Sequence, residues 1–336
     1  MQFKPEQQIF SPHKYASYIN ELTIGSSVNE IKIGGENVLP FYTFDAPIKN
    51  SPKIGVAITD SGYYKLSSKR DVTIKQNRNI VFTGLPDYDE YFDGAETLVD
   101  VAKKAAVMPG VDFLTVYLIG AHPDKGNKSP EECASLVKDI SNAVDIPLVV
   151  MGCNNPEKDA TLLEKVSEFL FGKNVLILSA REENYKTIAA AAGLAYSHKI
   201  GAESAVDVNL AKQLNVLISQ MGVKPQNMVM DIGSAAAGYG FDYIISTIDR
   251  VKLAALEQND TMLQMPIITP VFTQAWFIKE STASEEDYPE WGDVEVRGIN
   301  MEIATAAANL AAGSNAVILM HPKSVETIAG LIKELI

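Results

Sequence analysis

Eight short runs of aliphatic and β-branched residues, each followed by a stretch long enough for a helix, set the tightest limit on how this 336-residue chain can fold. They are Ile54–Thr59, Phe113–Ile119, Leu148–Met151, Val175–Leu178, Tyr196–Ile200, Met228–Asp231, Ile267–Val271 and Ala316–Met320. Near-continuous apolar runs alternating with helical segments are the pattern of parallel strands covered on both faces. Eight such units closing on themselves predict an α/β fold, the (β/α)8 TIM barrel, with an N-terminal extension. An open doubly wound sheet is the competing architecture, but no G-x-G-x-x-G follows the first run. The barrel domain is expected over residues 51–336 and an N-terminal arm over residues 1–50. Within the arm, Ile31-Lys-Ile-Gly-Gly-Glu36 reads as a short hairpin and Leu39-Pro-Phe-Tyr42 as an extended segment. The arm is either a plug across the lower end of the barrel or a docking segment.

The helix signals between the runs are specific. Ser129-Pro-Glu-Glu132 is a capping box with proline at the first helical position, ahead of Leu136, Val137, Ile140 and Val144 at helical spacing. Asn155-Pro-Glu opens the next helix, with Leu162, Leu163, Val166, Phe169 and Leu170 facing inward. Gly193, Gly222 and Gly313 read as C-terminal caps, and Ser324 opens a terminal helix whose buried stripe is Ile328, Leu331, Ile332 and Leu335.

Composition narrows the partners. With 29 basic and 42 acidic residues the net charge is −13, which opposes nucleic acid and anionic lipid. No apolar run approaches membrane-spanning length, and the opening Met-Gln-Phe-Lys-Pro-Glu carries no signal-peptide pattern, which predicts a cytoplasmic protein. Cys133 and Cys153 are the only cysteines, too few to ligate a [4Fe–4S] cluster, and both are expected to be buried thiols. The run Glu285, Glu286, Asp287 and Glu290 reads as a solvated face.

Chemistry in such a barrel sits at the C-terminal ends of the strands, and the residues there are polar. They are Thr59 and Asp60, His122, Cys153 with Asn154 and Asn155, Ser179 with Arg181, Asp231, Thr269 and His321, with Lys199 placed inside the fifth strand. Lys199 is either a Schiff-base lysine of the aldolase type or a lysine paired with Asp231 or Glu203. His122 and His321, each before proline, are either metal ligands or ordinary loop histidines. Asn154 and Asn155 can present amides to a polar heterocycle, although Asn155 also serves as a helix cap. The loop after Asp231 carries Gly233, Gly238 and Gly240, and it is either a tight strand-to-helix turn or a loop that lets a ligand approach the backbone.

Gly238-Tyr-Gly-Phe-Asp-Tyr243, Val251-Lys-Leu-Ala-Ala-Leu256, Met262-Leu-Gln-Met-Pro266, Trp291-Gly-Asp-Val-Glu-Val-Arg-Gly298 and His321-Pro322, preceded by Ile33-Gly-Gly-Glu-Asn37, resemble in order the small subunit of the corrinoid iron–sulfur protein. This is the delta subunit of the acetyl-CoA decarbonylase/synthase system, and the resemblance covers nearly the whole chain. It implies a TIM barrel that holds a corrinoid (cobalamin) together with a large subunit, which carries the [4Fe–4S] cluster. The corrinoid accepts a methyl group from a methyltetrahydropterin through a methyltransferase and passes it to acetyl-CoA synthase/CO dehydrogenase. On this reading the chain does no chemistry with its own side chains. The residues expected against the cofactor are Thr59, Asp60, His122, Asn154, Asn155, Asp231, Gly233, Gly238, Tyr239 and Thr269, with no metal ligand among them. Two alternatives stay open: a pterin-dependent methyltransferase, in which Asn154 or Asn155 and Asp60 or Asp231 hold the pterin, and a lysine-dependent aldolase built on Lys199.

Overall fold

A computed structural model describes residues 13–26, 28–39, 49–60 and 85–335. Residues 1–12 and most of the Leu39-Pro-Phe-Tyr42 segment fall outside the described residues.

Two short strands, β1 (Leu22–Ile24) and β2 (Ile31–Ile33), pair antiparallel with Leu22 opposite Ile33. Eight strands then follow: β3 (Lys53–Thr59), β4 (Phe113–Tyr117), β5 (Leu148–Met151), β6 (Leu176–Ala180), β7 (Lys199–Glu203), β8 (Met228–Asp231), β9 (Ile268–Thr269) and β10 (Ala316–Leu319). Every ladder among them is parallel, in the order β8-β7-β6-β5-β4-β3-β10-β9. A parallel bridge from Met230 to Ile267 brings the last edge back to β8 and completes the barrel. The helices are α1 (Pro86–Tyr91), α2 (Leu98–Ala106), α3 (Pro130–Ala143), α4 (Pro156–Phe169), α5 (Tyr185–Ile188), α6 (Val208–Gln220), α7 (Phe241–Leu256), α8 (Phe272–Ala275), α9 (Lys279–Thr282), α10 (Val294–Ala312) and α11 (Pro322–Leu335).

Local chemistry accounts for these elements. Ser129 and Glu132 form the reciprocal capping box of α3, and the Asn155 side chain accepts from the Lys158 N–H to cap α4. Val137 and Ile140 on α3, and Leu162, Leu163, Val166 and Leu170 on or beside α4, are fully buried, while Phe169 is only partly covered. The terminal helix opens at Pro322, and Val325 with Ile328 forms its buried stripe while Leu331, Ile332 and Leu335 are half-exposed.

Three expectations need correction. The fifth barrel strand, β7, begins at Lys199, three residues later than the run Tyr196–Ile200 suggests. The chain before it closes as a π-helical segment, Ala189–Ala195, and Ser197 takes a left-handed φ of 58° that no strand accepts. Gly193 is therefore no C-terminal cap; it lies within that segment, and a Cβ there would sit 2.7 Å from both Ile200 and Val223. The run Ile267–Val271 contributes only two strand residues, because Pro270 cannot donate to a ladder.

The described part of the arm lies across the N-terminal ends of the barrel strands. Asn174, just before β6, donates its side-chain amide to the carbonyls of Thr23 and Gly25, and the Asn20 N–H donates to the Gln264 carbonyl before β9. Glu36, after β2, is buried against Lys252 of α7 at 2.6 Å and accepts from Asn315, which immediately precedes β10. Ile19, Leu22, Ile24 and Ile33 pack into the same core as the barrel. The expected hairpin within Ile31–Glu36 is instead one strand, β2, paired with Leu22–Ile24, and the two together cover these strand ends.

Candidate functional site

The opposite, C-terminal end of the barrel holds a cleft of about 400 Å³. Its floor is made by the last residues of neighbouring strands. Glu203 ends β7 and Asp231 ends β8, and the two are paired in register, so the parallel ladder itself sets their carboxylates side by side. Arg181, one residue past β6, donates through Nη2 to Glu203 Oε1 at 2.6 Å and to Asn154 Oδ1 at 2.7 Å. Asp231 accepts the Gly233 N–H at 3.0 Å. Tyr117, Met151, Gln274 and the half-exposed Phe277 also line the cleft, with Ser234 and Thr273.

Burial dominates the electrostatics here. Asp231 is only 4% exposed, and loss of water followed by repulsion from Glu203 lifts its carboxyl well above the ordinary range, which Arg181 only partly offsets. Asp231 therefore holds a proton at pH values where isolated carboxylates are ionised. Two polar atoms at this cleft are buried with no hydrogen-bond partner: Arg181 Nε and Ser234 Oγ. Both thiols are buried, and desolvation pushes Cys133 and Cys153 up to about 12, so neither is a nucleophile at neutral pH.

Of the residues expected against the cofactor, the structure brings Asn154, Asp231 and Gly233 to the cleft wall, together with Ser179 and Arg181 from the wider strand-end set. Asn154 takes a left-handed φ of 65° and stays exposed at the lip. The other predicted residues lie outside the lining. Asp60 is turned to the chain, accepting the Gly120 N–H at 2.6 Å and pairing with Lys128 at 3.2 Å. Thr59 ends β3 beside it. His122 accepts the Asp124 N–H on its own loop, Asn155 is used as the α4 cap, and Thr269 is buried against Ser314 at 2.7 Å. Gly238 and Tyr239 face solvent on the α7 side of their loop, with the Tyr239 hydroxyl donating to Glu280.

The glycine loop thus divides between its two readings. Asp231, Gly233 and Ser234 line the cleft, whereas Gly238 and Gly240, at φ of 90° and 77°, supply the turn that enters α7. His321 proves to be a core histidine. Its Nδ1 accepts the Lys323 N–H, so Nε2 carries the proton and donates to Glu295 Oε1 at 2.9 Å, while the ring stacks on Trp276. Among the described residues there is no cluster suited to a metal ion. Lys199 is the first residue of β7 and hydrogen-bonds Asn227, at the end of the barrel away from the cleft. Neither the Schiff-base role nor a pairing with Asp231 or Glu203 fits that position.

Sequence reasoning named Glu203 only as a partner for Lys199, and missed its place at the cleft and the bridging role of Arg181. Starting the fifth barrel strand, β7, three residues early put Lys199 where Glu203 stands, and the run Lys199-Ile-Gly-Ala-Glu203 concealed itself because Gly201 lowers its apolar signal. That glycine is required: a Cβ there would lie 2.1 Å from the Leu178 side chain.

The sequence matches the family model described as CO dehydrogenase/acetyl-CoA synthase delta subunit over residues 21–320. Subunit delta of the acetyl-CoA decarbonylase/synthase complex of Methanocaldococcus jannaschii is 33% identical, the alignment covering 96% of this chain and 75% of that one. The corresponding subunit of Archaeoglobus fulgidus is 31% identical over 95% of this chain and 69% of its own length. Among solved structures, dihydropteroate synthase from Xanthomonas albilineans with 4-aminobenzoic acid superposes with a TM-score of 0.53 at 9% identity, covering 93% of this chain and 98% of that one, a likeness of fold alone. No helix among the described residues is long and apolar enough to cross a membrane.

Proposed function

Since the chain belongs to the CO dehydrogenase/acetyl-CoA synthase delta-subunit family, we propose that it is the small subunit of a corrinoid methyl carrier, its barrel mouth facing a corrinoid shared with a larger subunit. The larger subunit would supply the [4Fe–4S] cluster. A methyltransferase working on a methyltetrahydropterin and an acetyl-CoA synthase/CO dehydrogenase would be the other partners, in the cytoplasm. When bound, the corrinoid supplies a cobalt centre that accepts and donates methyl groups.

The observation that carries this reading is the donor and acceptor set at the barrel mouth. A corrin ring is fringed with amides, and each amide needs a partner once water is excluded. Asn154, Arg181, Glu203, Asp231, Ser234 and Gln274 offer such partners around one cleft, two of them with buried atoms left unpaired. The residues present therefore suit the group. The chain's own part is to bind and orient the ring's edge and to exclude water from one of its faces, with Phe277 and Tyr117 as apolar cover.

Co-expression with a cysteine-rich larger subunit tests the reading. A stable heterodimer that retains corrinoid through gel filtration, seen by its visible absorption and its change on reduction, is the expected result. A chain that stays monomeric and leaves the corrinoid unbound in the presence of that subunit would overturn it. A second reading, a site that holds a pterin directly, draws on one feature: Asn154 and Asp231 converge on the cleft whereas Asn155 and Asp60 do not. Saturable binding of methyltetrahydrofolate to the isolated chain would favour that reading.

A further inference from the structure

Among the described residues, the non-glycine positions with a left-handed backbone are Asn127, Asn154, Asn174, Ser197, Asn259 and Val206. Asparagine and serine have short polar side chains that tolerate this conformation. Val206, at a φ of 52°, does not. A β-branched residue crowds its own backbone there, so the conformation is strained and persists only because its surroundings impose it. Val206 lies three residues past the end of β7, and its N–H donates to the Ile232 carbonyl at 2.9 Å. The Ser204 N–H donates to the Asp231 carbonyl just before it, and Asp207 caps α6 just after. The turn thus needs a left-handed residue, and glycine or asparagine would supply one without the strain. The turn itself does not call for valine.

The place of its side chain gives the valine a use. Its isopropyl group stands beside Gly233 of the cleft wall, with Cγ2 3.6 Å from where a Cβ on that glycine would lie, and the residue is 36% exposed. Since β8 lies between β7 and β9 in the barrel, the Asp231–Gly233 turn is flanked by Val206 on one side and by the half-exposed Phe277 on the other. A cleft of about 400 Å³ is too small to take in a macrocycle, so a corrin at the barrel mouth lies across the opening and rests on its rim. We infer that Val206 is a contact residue for that ring, its isopropyl group forming an apolar seat for the corrin edge on the β7 side of the mouth. The inference rests on the corrinoid reading above and deepens it by one residue. A β-branched side chain on a backbone pinned from both sides has little rotamer freedom left to lose when a ligand covers it, so its burial counts almost entirely towards binding. Glycine would relax the turn and leave the ring without that contact.

Val206→Gly and Val206→Asn provide the test, each in the intact complex of this chain with its cluster-bearing partner. Both replacements suit a left-handed turn, so the urea midpoint should stay level or rise. Corrinoid affinity, titrated by visible absorption, should nonetheless fall about fivefold or more, as expected when a ring loses its contact with one aliphatic side chain. Unchanged affinity in either variant would mean that the ring does not rest on Val206, and the inference falls while the corrinoid reading stands. A midpoint lowered in both variants would assign the isopropyl group to the packing of the fold and overturn the inference too. If the natural complex itself retains no corrinoid, the corrinoid reading falls with it.

Discussion

Arg181 is the residue on which the cleft turns, because it is the cation that lets two carboxylates share one floor. Its Nη2 serves both Glu203 and Asn154, so removing it leaves two acidic groups in a partly dry site with no counter-charge. Arg181→Ala is expected to lower stability by about 1–3 kcal/mol at pH 8, measured by urea denaturation. The loss should shrink at pH 5, where the raised Asp231 carboxyl takes up its proton and the repulsion that Arg181 countered disappears. In the β5–α4 loop, next to Asn154, Asn155→Ala removes the cap of α4 and should cost about 1 kcal/mol with the cleft intact. That pair of variants separates a residue that makes the site from its neighbour that only starts a helix.

Among the elements, the N-terminal hairpin does what a barrel bottom requires, covering strand ends that would otherwise expose an apolar interior. It is fastened by the Lys252–Glu36 pair, with Lys252 fully buried and Asn315 linking Glu36 to β10 and to the Ile267 N–H. Glu36→Ala would strand a buried ammonium and should cost about 3–5 kcal/mol, visible as a lowered urea midpoint, whereas replacing Glu36 and Lys252 together with apolar residues of similar size should recover most of it. The Val251-Lys-Leu-Ala-Ala-Leu256 motif, which the sequence associates with the family, thus has a structural use at Lys252. The strands themselves were legible, since buried parallel strands carry continuous aliphatic runs. Their ends were not: β7 starts late because a π-helical segment and the left-handed Ser197 precede it, and nothing in the local pattern announces either.

For the whole molecule, buried carboxyls raised by loss of water, Asp60, Asp159, Asp231 and Glu302 among them, shape the response to pH. Glu302 on α10 is fully buried, accepts the N–H groups of Met320 and His321, and is pushed up to about 7 by burial. A carboxyl whose folded value lies above its unfolded value of about 4 favours folding most while protonated in both states, below about pH 4. That contribution is lost as pH rises towards 7, and Asp231 acts in the same direction. Stability should therefore decline between about pH 4 and 7 more steeply in the natural protein than in Glu302→Gln, as thermal melts at fixed ionic strength would read. A natural protein whose slope matches the variant's would mean Glu302 ionises freely in the fold.

The sequence by itself determined the eight-unit barrel, the helix caps, the buried thiols and the acidic exterior, because each depends on residues close together along the chain. It also placed Asn154, Asp231 and Gly233 at the functional end, since the position of a strand's last residue follows from the run before it. Only the tertiary structure decided that Glu203 stands there in place of Lys199, that Arg181 bridges two loops, and that Asp60, His122 and His321 are held by their own surroundings. Those outcomes rest on where distant strands end relative to one another, and a register between separate strands is set by packing that no local pattern contains.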